Sequence, residues 1–208
     1  MRVGMRELVL LSAVLGLVMI YAGVRLSEPE RVETRNLTSG MVGSQVLLSG
    51  RVMDLYEHPD GHLFLQVGEE NRTVSVPLFS SLRRGMRVEM LDWVEVRGRV
   101  KEWKGELEVV PGRPEDVRVR REPPRRVGEI GEGEVGRLVK VEGEVRRVTR
   151  MGENCTLLTL AEGENVLKLF LAFPARVEAG ARVTAAGRVQ LYRGELEVVV
   201  KRSSHLYL

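Results

Sequence analysis

Apolar and polar positions alternate with a period of two over most of this chain, and helical periodicity is minor. Gln45–Tyr56 places Val46, Leu48, Gly50 and Val52 on one face, the pattern of a long half-buried strand. His62–Val67, Thr73–Phe79, Val94–Lys101 and Glu106–Val110 read as four more strands. His58-Pro59-Asp60-Gly61 is a turn: Pro presets φ and Gly supplies positive φ. Ser80–Gly85 allows a single helical turn. A second set follows at Leu138–Thr149, Cys155–Leu160, Asn165–Leu171, Arg182–Leu191 and Glu195–Lys201.

The second set is a copy of the first. Val42-Gly43, Val46, Gly50 and Val52 recur at Val135-Gly136, Val139, Gly143 and Val145, an offset of 93. Gly98-Arg99-Val100 recurs at Gly187-Arg188-Val189, and Gly105-Glu106-Leu107-Glu108-Val109-Val110 recurs unchanged at Gly194–Val199. There the offset is 89, so four residues are lost between the blocks. Several identities in matching order mark an internal duplication. Leu167, Leu169 and Leu171 match Val74, Val76 and Leu78, and a slip by one residue would turn that apolar set outward. Arg121–Arg126, with Pro123-Pro124, reads as a stiff linker.

Leu8–Val24 carries no charge and is bounded by Glu7 and Arg25. It reads as an uncleaved transmembrane signal-anchor, with a cleaved signal peptide behind Arg2 and Arg6 as the alternative. The resulting division is an anchor at 1–26, a polar tether at 27–40, a first β domain at 41–120, a linker at 121–126 and a second β domain at 127–208. Three of the four asparagines, Asn36, Asn71 and Asn154, open Asn-x-Thr triplets, the glycosylation acceptor of exported chains. The expectation is therefore a single-pass membrane protein with its β domains outside the cytoplasm.

Composition narrows the chemistry. A single cysteine, Cys155, excludes an internal disulfide framework, and three histidines leave little material for metal or proton-transfer sites. No acid–base or nucleophile constellation, phosphate loop or nucleophile elbow is visible, so the reading is a non-enzyme without a cofactor. Glu57, His58, Asp60 and His62 crowd one turn, a setting in which such residues are usually only polar. Residues 41–122 hold 13 basic and 14 acidic side chains, and residues 127–208 hold 12 and 11. Neither half is the strongly basic body of a protein that lives on phosphate contacts alone. Arg83-Arg84 and Arg146-Arg147 read as solvated faces.

Five strands, a long first strand with Gly50 or Gly143 in its middle, and closing hairpins at Gly98–Val110 and Gly187–Val199 resemble the OB-fold. The hairpins look most like those of the single-strand nucleic-acid-binding OB modules of archaeal proteins and of tRNA synthetase anticodon-binding domains. The fold class implied is all-β: two consecutive five-stranded OB-fold Greek-key barrels preceded by one transmembrane helix. The implied partner is single-stranded DNA or RNA, held across strands two and three between two loops. Candidate contacts are Tyr56, Phe64, Arg72, Arg97, Trp103 and Lys104 in the first copy, and Arg146, Lys168, Phe170, Tyr192 and Arg193 in the second. The alternative is an extracytoplasmic assembly module that binds protein or oligosaccharide. A tethered OB domain also resembles the haem chaperone of cytochrome c maturation, with His205 and Tyr207 as the pair to weigh.

Overall fold

A computed structural model describes residues 5–26, 30–83 and 85–208. Residues 27–29 of the expected tether, Arg2 of the basic N-terminus and Arg84 of the Arg83-Arg84 pair lie outside them. The chain divides into two compact units, one ending at Glu30 and one running from Arg31 to Leu208.

The first unit holds one helix, α1 (Met5–Leu26). Among the described residues, no helix is long and apolar enough to cross a membrane. This corrects the expectation of a transmembrane signal-anchor, and with it the bilayer as a partner and the single-pass location. The physical reason is that α1 reaches its 22 residues only by taking in Arg6, Glu7 and Arg25; its uncharged stretch, Leu8–Val24, is about 26 Å of helix at about 1.5 Å per residue, against a hydrocarbon core of about 30 Å.

The second unit contains two barrels. The first is built from β1 (Glu30–Glu33), β2 (Gln45–Glu57), β3 (Leu63–Glu69), β4 (Arg72–Leu78), β5 (Trp93–Trp103), β6 (Glu106–Pro111) and β7 (Val117–Arg120). Its order is β1-β2-β3-β4-β6-β5-β7, and an additional β2–β5 pairing closes five of these strands into a barrel. The second contains β8 (Arg125–Arg126), β9 (Leu138–Met151), β10 (Cys155–Glu162), β11 (Asn165–Leu171), β12 (Arg182–Tyr192), β13 (Glu195–Val200) and β14 (Leu206–Tyr207). Here the ring is β9-β10-β11-β13-β12, closed by β12–β9. Numbered within each ring, the order is 1-2-3-5-4-1 with strands three and five parallel. That is the OB-fold order, so the expected all-β architecture is present in both copies.

Alternation accounts for each interior. Val46, Leu48, Val52, Leu65, Val67, Val76, Val94, Val96 and Val100 fill the first core. Val139, Val141, Val145, Leu158, Leu160, Leu169, Leu171, Val183 and Val198 fill the second. Each full burial contributes roughly 1.5–3 kcal/mol.

The duplication extends beyond the strands read from sequence. Residues 30–41, expected to belong mostly to a loose tether, form β1 and two 3₁₀ turns, and Val32 and Leu37 enter the first core. Val127 and Ile130 do the same for the second. At the other end of each copy, a 3₁₀ turn leads into β7 paired with β5, or into β14 paired with β12.

The barrels meet through a buried ionic junction. Lys140 on β9 reaches from the second barrel to Glu89 (2.7 Å) and Asp92 (3.1 Å) of the first, and its Nζ also donates to Glu122 O. All three charged side chains are buried. Asp92 further accepts the Glu89 and Glu122 N–H groups. The Met90 N–H donates to the Tyr207 hydroxyl, and Ala186 of the second barrel joins the first barrel's core. Burial works to raise the Glu89 pKa, but the hydrogen bond and charge of Lys140 overcome it and hold the carboxyl below its ordinary value. Burial drives the Tyr207 hydroxyl strongly upward, so it stays a neutral acceptor.

Candidate nucleic-acid interface

An OB barrel presents its second and third strands, with the adjoining part of the first, as an open face. Cross-strand register defines that face in rows. In the first barrel Tyr56, Phe64 and Pro77 form one row, and Asp54, Gln66 and Ser75 form the next. In the second barrel the corresponding rows are Thr149, Leu157 and Phe170, then Arg147, Thr159 and Lys168. Every position pairs with its counterpart at the offset of 93.

A β-bulge sits at the same place in both. The β2–β3 register shifts between Val52 and Asp54, and the β9–β10 register shifts opposite Thr159 and Leu160. The extra residue is Met53 in the first copy and Arg146 in the second. A regular strand sends consecutive side chains to opposite faces, but a bulge breaks that alternation. Arg146 and Arg147 are therefore both exposed while Val145 stays inside. Neither arginine makes an ion pair or side-chain hydrogen bond among the described residues. Lys168 lies two residues along the third strand and is tied to Glu195 at the start of β13. Phe170, its neighbour on the same face, is half-buried.

The corresponding surface of the first barrel is occupied. Asp54 pairs with Arg202 (3.3 Å) and His205 (3.0 Å) from the end of the chain. Burial raises the Asp54 pKa, but the hydrogen bond from His205 and the Arg202 charge overcome it and leave it lowered. The Arg202 guanidinium lies 5.7 Å from the centre of the Tyr56 ring, which stacks on Phe64 at 6.4 Å and 24°. Ser204 Oγ donates to Leu55 O, and His205 Nε2 lies 3.1 Å from the same oxygen. His205 and Tyr207 are thus engaged at the junction between the barrels.

The hairpins after the fourth strand form one wall of each face. Lys104-Gly105 and Arg193-Gly194 all have positive φ, the two-residue turn whose twist suits a tight hairpin. Lys104 lies 5.8 Å from the Trp103 ring centre, and Arg193 lies 5.3 Å from that of Tyr192. Both rings are more than half exposed, at 62% and 52%. Two other sequence candidates stand elsewhere. Arg97 is on β5 opposite Leu47, away from β3 and β4, and Arg72 begins β4 at the end far from Tyr56.

Three further residues of the second face, Arg147, Thr159 and Leu157, escaped the sequence reading. A bulge leaves no local signature; only alignment of the two copies points to it. Around the β2–β3 turn the Ser80 N–H donates to His62 Nδ1, and the Asp60 N–H donates to His58 Nδ1. No metal-binding cluster of His, Cys, Asp and Glu is present among the described residues. Asn36, Asn71 and Asn154 are all exposed, as is Asn165, which opens no triplet.

No family model and no curated protein matches the chain. Among solved structures it is similar to the p204 HINb domain, with 11% identity and a TM-score of 0.46 over 79% of this chain and 95% of that one. It is similar to the Ifi202 HINa domain in complex with 20bp dsDNA, with 12% identity and a TM-score of 0.43 over 79% and 97%. Similarity to asparaginyl-tRNA synthetase from Pyrococcus horikoshii covers 41% of this chain and 22% of that one, at 17% identity and a TM-score of 0.36. These likenesses are distant, and the strand order alone defines the fold.

Proposed function

We propose that this protein binds single-stranded nucleic acid without catalysis, and that the second barrel supplies the contact surface. The observation that carries the reading is the bulge that turns Arg146 and Arg147 outward together, with Arg147 in the same cross-strand row as Lys168. Unpaired guanidiniums on an open face suit phosphate oxygens, which they can grip with two parallel hydrogen bonds. Phe170 and Tyr192 offer ring faces to bases, each such stack being worth about 1–3 kcal/mol. Arg193 adds a cation at the hairpin wall. The near-neutral charge of the whole domain fits a small, localised footprint of a few nucleotides.

The test is titration of the full chain with labelled single strands at several salt concentrations. Three or four phosphate contacts predict a log–log salt slope of about −2 to −3, at about −0.7 per phosphate. The Arg146→Ala/Arg147→Ala variant should lose about half to two thirds of that slope. A flat salt response, or an unchanged slope in the variant, would remove this reading. A duplex of matching sequence is the parallel arm, and tighter binding to it would reassign the ligand.

A further inference from the structure

A cleft of about 680 Å³ lies on the first barrel where the segment from Arg31 to Arg35 crosses β2 and β3. Its size is in the range of small-molecule sites. Trp93 and Met53 give it apolar wall, and Arg31, Arg51 and Arg72 line it as well. Arg31 and Arg72 form no ion pair among the described residues, and Arg51 has only a 3.6 Å contact to Glu122. Arg120 stands 5.8 Å from the Trp93 ring centre, adding another cation beside the indole. The acids in the lining offset only part of this charge: Glu33 is paired with Arg35 and Glu70 with Arg188, leaving Glu69.

The OB-fold does not require this cleft, because the second copy lacks its chemistry. Arg51 and Trp93, a cross-strand pair, correspond to Glu144 and Arg182, also a cross-strand pair. Arg72 corresponds to Asn165. Val127 packs against Gly143 so closely that a Cβ there would lie 2.8 Å from its methyl, and one on Gly128 would lie 2.5 Å from the Asn165 amide. At this place the second copy thus presents Glu144, Arg182 and Asn165 where the first presents Arg51, Trp93 and Arg72.

We propose that the first-barrel cleft binds a small aromatic anion, a flat ring bearing phosphate or carboxylate. Trp93 and Met53 take the ring, and Arg51 and Arg72 take the anion. This site is independent of the second barrel's face.

The test uses the full chain carrying Trp103→Phe, so that Trp93 is the sole indole. Adenosine 5′-monophosphate and 4-hydroxybenzoate are titrated while Trp93 emission is read, with inorganic phosphate as the ring-free control. A saturable change with either aromatic probe, with Kd below about 1 mM, is expected. Affinity should fall at least tenfold on adding Arg51→Ala/Arg72→Ala, since the charge-assisted hydrogen bonds to the anion are lost. Which probe binds tells phosphate from carboxylate. If that variant fails to fold by circular dichroism, Arg72→Ala alone serves, because Arg72 is exposed and outside the core. No saturable change with either probe up to about 10 mM, an equal response to phosphate alone, or undiminished affinity in the variant would each overturn the proposal. Arg146→Ala/Arg147→Ala should leave the Trp93 signal intact, which separates this site from the nucleic-acid surface.

Discussion

Two bulges at equivalent places hold Met53-Asp54 in one barrel and Arg146-Arg147 in the other. The backbone event is shared; the charge it displays is reversed. In the first barrel the acid draws Arg202 and His205 of the chain's own end onto the face beside Tyr56. In the second the two cations stand open to solvent. The two equivalent faces therefore differ within one chain: the first helps hold the pair of barrels together, and the second stands open.

The largest effect should come from the junction on which that division rests. Lys140→Ala leaves Asp92 buried without its cation and Glu89 with Arg87 alone. Breaking a buried pair in this way costs about 3–5 kcal/mol, to be read as a lower urea midpoint. Lys140→Met tests the same contact with volume kept. A variant as stable as the parent would show that the barrels do not depend on each other.

Exchange of the bulge residues is the next most severe. Arg146→Met/Arg147→Asp writes the first copy's bulge into the second and should weaken single-strand binding about a hundredfold at low salt, most of it vanishing at high salt. If affinity holds, the two faces are not functionally distinct. The hairpin tips come third. Tyr192→Ala should cost about 1–3 kcal/mol of binding, while Trp103→Ala should cost little. Equal losses would mean that both barrels hold the strand.

The smallest effect is on pH dependence. Asp54 and Glu89 have pKa values below their ordinary ones in the folded protein. Their contributions are in place above the unfolded carboxylate values and fade as pH falls, over roughly pH 5 to 3. Denaturation midpoints should drop across that window, and Asp54→Asn should flatten the drop by removing one titrating group.

The strands, their register and the duplication were legible because period-two patterning and identical hairpins survive in the residues themselves. The ends of each copy were not. Ser203–Leu206 matches Pro114–Val117 at the offset of 89 without a single identity, so β14 and the roles of His205 and Tyr207 were hidden. Residues 30–40 looked loose because their polarity masks Val32 and Leu37, which enter the core singly rather than as a periodic face. Arg146 was named as a contact but Arg147 only as part of a solvated pair, because adjacent strand residues normally point apart. The apolar N-terminal run was overread as a span, since its lack of charge outweighed a length at the short end of what crosses a bilayer core.

The four residues missing from the second copy have a last implication. Leu91 of the first copy takes a left-handed φ of 66° where the second has Gly180 at 90°, and the following residue is Asp92 in one and Ala181 in the other. Lys140, in turn, replaces Leu47. The Asp92 carboxylate and the Lys140 ammonium thus exist once each, on different halves. Their contact can form in one order only, the second barrel onto the first.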